Sequence, residues 1–332
     1  MSKIKVAVVM GGYSNESVIS LRSGQLILNH LNPEKYTFFA VHVLKNEWYA
    51  LVDEQKYTIN KADFSFDLHG HQIKFDVAVN TIHGTPGEDG QMQAYWNLIG
   101  LPYTGCDYYQ SALTFNKRDT LSVLSKFVIK KAESIYLSQT ENINFEDVVS
   151  KLGLPFMVKP NQSGSSLGVS KVKSIDDFEP ALTSAFHEDT EILIESFLDG
   201  VEVSVGVIQI NEITTVVGIT EIVSETEFFD YAAKYEGKSK EITPARIDET
   251  ATKKVEEVAQ KVYNLLGMKG FSRAEYILVN GEPFFIEINT NPGLSPQSIL
   301  PQQVAYAQLK MSDLFDSEIA FAMKRQLIWD NF

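Results

Sequence analysis

Arg273-Ala274-Glu275 and, a short distance on, Glu287-Ile288-Asn289-Thr290-Asn291-Pro292-Gly293 decide how this chain is read. They fall in two apolar runs, Phe271–Val279 and Glu282–Ile288, separated by Asn280-Gly281. Asn-Gly between two such runs predicts a two-residue hairpin turn. Alternate residues of a strand share a face, so Glu287 and Asn289 point the same way and pairing brings Glu275 alongside them. Two carboxylates and an amide oxygen make a hard, all-oxygen set, suited to Mg²⁺ with positions left for phosphate oxygens and water. The bland alternative is a solvated strand face carrying scattered charge.

Upstream, Met157-Val158-Lys159-Pro160-Asn161-Gln162-Ser163-Gly164-Ser165-Ser166-Leu167-Gly168 places a lysine at the end of an apolar strand, before a turn rich in backbone donors. That is a phosphate cradle in physical terms, although standing alone it could be a simple hairpin turn. It is not a P-loop, because the lysine precedes the loop instead of following it. Nor is Met10-Gly11-Gly12-Tyr13-Ser14 a dinucleotide fingerprint, since Gly-x-Gly-x-x-Gly is missing.

The first hundred residues alternate as β-α-β units. Lys5–Met10 reads as a buried strand running into Gly11-Gly12, Ser14 as the N-cap of a helix carrying Val18, Leu21, Leu26, Ile27 and Leu31, and Tyr36–Val43 as the next strand. Phe75–Ile82 is expected as a third strand, leading into His83-Gly84-Thr85-Pro86-Gly87-Glu88-Asp89-Gly90 and a helix through Trp96. The expectation is a small parallel sheet with working loops at its strand C-terminal ends. Two helical stretches follow, then strands Pro155–Lys159 and Gly168–Val172. Beyond about Phe186 come strands Glu191–Glu195, Glu202–Ile210 and Ile213–Thr220, and a long helix near Ala251–Leu266. Three domains are expected, at 1–102, 103–185 and 186–332. The polar stretch 224–244 has no clean period and reads as a lid.

Composition sets the bounds. The 332 residues are 44% hydrophobic and 22% charged, which is ordinary for a globular protein. Forty-three acidic against 29 basic residues give a formal charge of −14, which disfavours general binding to nucleic acid. One cysteine, Cys106, forms no disulfide framework and reads as a packed thiol in a reducing compartment. No run approaches the ~18 apolar residues of a membrane span, and the N-terminus turns to glycine too soon for a signal peptide. A cytoplasmic protein is expected. His69-Gly70-His71 reads as an exposed turn before it reads as a metal pair.

Taken in order, Lys159 with its serine loop, Glu195 closing an apolar strand, Arg273-x-Glu275 and Glu287-x-Asn289 resemble an ATP-grasp nucleotide site. Gly11-Gly12-x-Ser14-x-Glu16, His83-Gly84-x-x-Gly87-Glu88-Asp89-Gly90, Gly100-Leu101-Pro102-Tyr103-Thr104-Gly105, Ser111-Ala112-Leu113 with Lys117, Tyr231-x-x-Lys234-Tyr235 and Asn289-Thr290-x-Pro292-Gly293 closely resemble the D-alanine–D-alanine ligase family. The likeness runs from Val6 to about Pro301. It implies an α/β, three-domain ATP-grasp architecture, in which an N-terminal sheet precedes two α+β subdomains sandwiching the nucleotide.

The activity implied is ATP-dependent joining of two D-alanines through an acylphosphate, for peptidoglycan precursors. The rivals are ligation of another small acid and amine, and a catalytically silent nucleotide-binding relative. By the same resemblance Lys117, Lys159 and the lid residue Lys234 contact the ATP phosphates. Glu195, Ser196 and Leu198 border the adenine, and Glu202 binds the ribose. Glu275, Glu287 and Asn289 hold two Mg²⁺ or Mn²⁺ ions, while Arg273 and the Gly293 amide stabilise the oxyanion. Glu16 meets the first D-alanine's ammonium and forms a trio with Ser165 and Tyr235. Ser298 and the Ile299 amide receive the second substrate's carboxylate, and His83 positions the substrates. Tyr235 implies D-alanine in preference to D-lactate as second substrate, and relatives imply a homodimer. Ser163 and Glu275 depart from the acidic residue and the aspartate common among relatives.

Overall fold

The computed structural model describes residues 3–210, 212–224 and 239–325, so Lys234 and Tyr235 lie outside the described residues. Three sheets carry the architecture. In the first, β1 (Ile4–Gly11), β2 (Tyr36–Val43), β3 (Trp48–Val52), β4 (Gln55–Thr58) and β7 (Val77–Asn80) take the order β4-β3-β2-β1-β7, with β5 (Phe66–Leu68) and β6 (His71–Ile73) a separate hairpin. Val6, Ala7, Val8 and Val9 expose no surface, as a continuous apolar run buried on both faces requires. β1 runs parallel to β2 and β7, but β3 and β4 add antiparallel strands, so the sheet is mixed where a parallel one was expected. The expected strand Phe75–Ile82 shortens to Val77–Asn80.

Ser14 does not cap the first helix, which spans Ser17–His30 with Glu16 at the N-cap position. Its hydroxyl donates instead to His83 O (2.9 Å), tying the glycine turn to the loop after β7. Val18, expected on the buried face, is exposed, while Leu26 and Ile27 are buried.

The second sheet joins β8 (Ser134–Ser138), β9 (Phe156–Pro160), β10 (Ser170–Val172) and β11 (Glu191–Ser196) in the antiparallel order β10-β9-β11-β8. β11 lies past position 185, so this sheet extends beyond the boundary expected there. The third sheet has β12 (Val201–Ile210), β13 (Ile213–Ser224), β14 (Ser239–Ile242), β15 (Ser272–Val279) and β16 (Glu282–Asn289) in the order β14-β13-β12-β15-β16. β14 takes residues 239–242 out of the loop expected over 224–244 and pairs them with Glu221–Ser224.

The cores cross the expected domain limits. Leu121 and Leu124, on the helix Lys117–Leu124, pack with Val203, Val205 and Tyr276 of the third sheet and with Val255 and Val262 of the helix Glu249–Leu265. Leu314, Phe315 and Ile319, on the helix Met311–Met323, close the core of the first sheet against Val6, Val8, Val77 and Val79. Among the described residues no helix is long and apolar enough to cross a membrane.

Candidate active site

The second and third sheets face each other across an open cleft of about 900 Å³. β9 and β11 wall it on one side through Met157, Lys159 and Glu195, and β12, β15 and β16 on the other through Glu202, Ile277 and Ile286. One end is apolar, with Phe197 and Leu198. The other is charged, with Lys117, Glu275 and Glu287. A planar base and a polyanion have just such opposite requirements.

Pairing of β15 with β16 places Glu275 opposite Glu287 and Arg273 opposite Asn289. The three expected oxygen donors are thereby brought to neighbouring positions on one hairpin. Ile286 is an extra residue in this ladder, because Tyr276 pairs with Phe285 while Glu275 pairs with Glu287. The bulge shifts the parity of β16: Phe285 and Ile288 both enter the core, while Ile286 and Glu287 both line the cleft. The hairpin turn has Asn280 and Gly281 at φ of 52° and 74°, the left-handed pair that Asn-Gly provides.

Glu195, Glu275 and Glu287 each have a cationic neighbour. Glu275 Oε1 accepts from Arg273 Nη2 at 2.9 Å, Glu287 Oε2 lies 3.3 Å from Lys117 Nζ, and Glu195 pairs with Lys159. Lys117 Nζ also donates to Ser163 O (2.9 Å), which pins the serine loop over the cleft. Among the described residues no three His, Cys, Asp or Glu side chains cluster as a metal site. The set present is two carboxylates with one amide, an incomplete hard-oxygen shell that fits a divalent cation sharing phosphate oxygens. The Asn289 Oδ1 accepts from Asn291 N (2.9 Å), and Asn289 is not among the residues lining the cleft.

Beside the charged end lies a second group of residues. Ser165 donates its hydroxyl to Glu16, and it does so from a left-handed backbone (φ 53°) that turns the loop toward the first sheet. A Cβ on Gly164 would sit 2.8 Å from Glu16 Oε2, so a larger residue here would displace that carboxylate. Arg273 is largely buried, and among the described residues its Nε has no partner, a donor with unspent capacity. Burial, then the Arg273 charge, lower the pKa of His83 to about 4, so its imidazole is neutral; its Nε2 lies 3.3 Å from Ser23 Oγ. A Cβ on Gly293 would meet Ser298 Oγ at 2.9 Å, so these two expected residues adjoin. Ser298 is the N-cap of the helix Ile299–Tyr306 and makes no side-chain cap hydrogen bond, and the first amides of a helix lack intrahelical partners.

Three groups escaped the sequence reading. Ser23 accepts from Leu294 N (3.1 Å) and meets His83, joining the first helix to the loop after β16. Asn291 Nδ2 donates to Ile82 O (2.7 Å) across the same junction. Glu88 is buried and accepts from Gly84 N at 2.6 Å; burial, then the nearby Glu16 charge, raise its pKa to about 8, so it is held protonated. Glu88 stood in view within the His83–Gly90 stretch. Ser23 gave no signal beyond being a small polar residue on a helix face.

A cleft between two antiparallel sheets, lined by lysines and acids, is the arrangement of the ATP-grasp class. Family models describe the same chain. One for the N-terminal part of D-Ala–D-Ala ligases matches residues 5–106, and one for their C-terminal part matches residues 117–320. A D-alanine–D-alanine ligase of Flavobacterium psychrophilum is 63% identical over 98% of this chain and 99% of its own length. That of Parabacteroides distasonis is 43% identical over 98% and 99%. Among solved structures, the VanG D-Ala:D-Ser ligase of Enterococcus faecalis superposes with a TM-score of 0.86 at 30% identity, covering 97% of this chain and all of that one. The chain belongs to the D-alanine–D-alanine ligase family.

Proposed function

We propose that this protein joins two molecules of D-alanine into D-alanyl-D-alanine, converting ATP to ADP and phosphate, in the supply of peptidoglycan precursors. The observation that carries the reading is the meeting of the cleft's charged end with Arg273, Glu16 and Ser165. A phosphoryl-activated ligation needs a phosphate site beside a substrate site, and this meeting supports that reading.

A carboxylate is a poor electrophile, and activation overcomes this. An oxygen of the first D-alanine's carboxylate attacks the γ-phosphorus, the bond to the β-phosphate oxygen breaks, and ADP departs. Glu16 holds that substrate's ammonium, and Lys117 and Lys159 hold the phosphates, with Lys234 and Tyr235 closing from the lid. Glu275, Glu287 and Asn289 would hold two Mg²⁺ or Mn²⁺ ions, which supply charge neutralisation at the transferred phosphoryl group. The amine of the second D-alanine, its carboxylate received by Ser298 and the Ile299 amide, then attacks the acylphosphate carbon. The negative charge that develops on the carbonyl oxygen faces Arg273 and the Gly293 N–H. Collapse of this intermediate expels phosphate and leaves the peptide bond. His83 is neutral and positions the substrates by hydrogen bonding alone. At the other end of the cleft Glu195, Ser196 and Leu198 border the adenine, and Glu202 accepts from the ribose hydroxyls. A homodimer in the cytoplasm is the assembly and location that the family resemblance favours.

A phosphate-release screen with ATP and Mg²⁺ over D- and L-amino acids and D-lactate tests the reading. Release with D-alanine alone, and formation of the D-dipeptide, are expected. The likeness to a D-Ala:D-Ser ligase makes D-serine the informative competitor: faster mixed ligation with D-serine than D-alanine ligation would reassign the second substrate.

A further inference from the structure

Lys171 on β10 has no role in the reading above. Cross-strand pairing puts it opposite Met157 on β9, and Met157 opposite Glu195 on β11, so the three side chains form one row on one face of the second sheet. Met157 and Glu195 line the cleft; Lys171 itself does not. Its ammonium lies over the ring of Phe197, 3.7 Å from the centroid, and Phe197 does line the cleft at the apolar end. A cation held over an aromatic face restrains the ring at that contact. Lys117 contacts Glu287 and Lys159 pairs with Glu195, so both are engaged with cleft carboxylates, whereas the Lys171 ammonium is engaged with an aromatic ring. The geometry therefore separates the cleft's lysines into two kinds.

We propose that Lys171 is a positioning residue for the base of the nucleotide, acting by fixing Phe197 as a wall of the base pocket and not by attracting phosphate. The proposal rests on the reading of this cleft as a nucleotide site. Lys171→Met keeps the length of the stem and removes the charge, whereas Lys171→Arg keeps a cation able to lie over the ring. Phe197→Leu removes the ring.

Calorimetric titration of the full-length protein with ATP and with inorganic tripolyphosphate, both with Mg²⁺, distinguishes a base effect from a charge effect. Lys171→Met is expected to weaken ATP binding about three- to tenfold, as the loss of one partly desolvated cation–π contact implies. Tripolyphosphate binding is expected to stay unchanged, Lys171→Arg to remain within about twofold of wild type, and the charge removal to have no further effect in a Phe197→Leu background. In steady-state assays the KM for ATP rises and kcat stays constant. Equal weakening of tripolyphosphate, or effects of Lys171→Met and Phe197→Leu that simply add, would overturn the assignment. So would ATP binding by Lys171→Met equal to that of wild type. Wild-type protein that binds no ATP would instead sink the nucleotide reading, and this assignment with it.

Discussion

Burial sets the charge state of the groups that meet beside the cleft. Glu88 keeps its proton at neutral pH because it is buried and lies near the Glu16 charge, and His83 stays neutral because it is buried near Arg273. The His83 value has a thermodynamic consequence with a definite sign. Its folded pKa of about 4 lies below the unfolded value near 6.5, so between those limits the unfolded chain binds a proton that the folded chain does not. The stabilisation is present above pH 6.5 and is lost as pH falls toward 4. Urea unfolding of wild type and His83→Asn at pH 7 and pH 4.5 is expected to show wild type losing about 2 kcal/mol more than the variant on acidification. Parallel losses would mean that His83 is protonated in the folded protein. At this scale the shared face of Arg273 and Glu275 was legible because strand period fixes faces from local sequence, whereas the facing of Glu287 depends on the bulge at Ile286. Ser23 was not, since its partners His83 and Leu294 lie 60 and 271 positions away.

Elements position these residues, and some carry their own signal. Asn280-Gly281 announced its hairpin, and the continuous apolar run of β1 announced a buried strand. β3 and β4 were missed because Asp53 and Glu54 make their connecting turn at φ of 47° and 64°, without glycine or asparagine to mark it. The Ile286 bulge was equally silent: it shows only in the pairing of β16 with β15, yet it decides that Glu287 faces the cleft. The helix Ile299–Tyr306 is placed by a pair of facing strand glycines. Gly206 pairs with Gly218, and Gln303 packs over both and donates to Ser204 O at 2.8 Å. A Cβ on Gly206 would lie 2.3 Å from Gln303 Oε1 and 2.8 Å from Leu300 Cδ1, so the buried side chains that seat the helix must shift. Gly206→Ala is accordingly expected to cost about 1–3 kcal/mol of stability. It should also raise the KM for the second D-alanine, whose carboxylate is assigned to Ser298 and the Ile299 amide, more than the KM for ATP. Equal KM changes for both substrates would separate this helix from the second-substrate site.

Across the whole molecule, the chain's order in sequence is a poor guide to its cores. The helix Met311–Met323 packs on β1, and the helix Lys117–Leu124 packs on the third sheet, although both were expected to follow their neighbours in sequence. No local pattern encodes a contact between residues 300 positions apart; periodicity says which face is apolar, not what will cover it. These long-range closures bring Glu16 at the start of the first helix against Ser165 of the loop after β9, with Glu16 and Arg273 of β15 both close enough to act on Glu88. That convergence is what an acylphosphate route demands, since the carboxylate to be activated, the phosphate donor and the oxyanion donor must share one water-poor volume. The direct test is isotopic. With D-alanine carrying ¹⁸O in both carboxylate oxygens, and with ATP and Mg²⁺ in unlabelled water, mass spectrometry of the released phosphate reads which bond was made. One ¹⁸O in each phosphate formed with dipeptide is the expected result, whereas phosphate free of label would contradict activation of the substrate carboxylate.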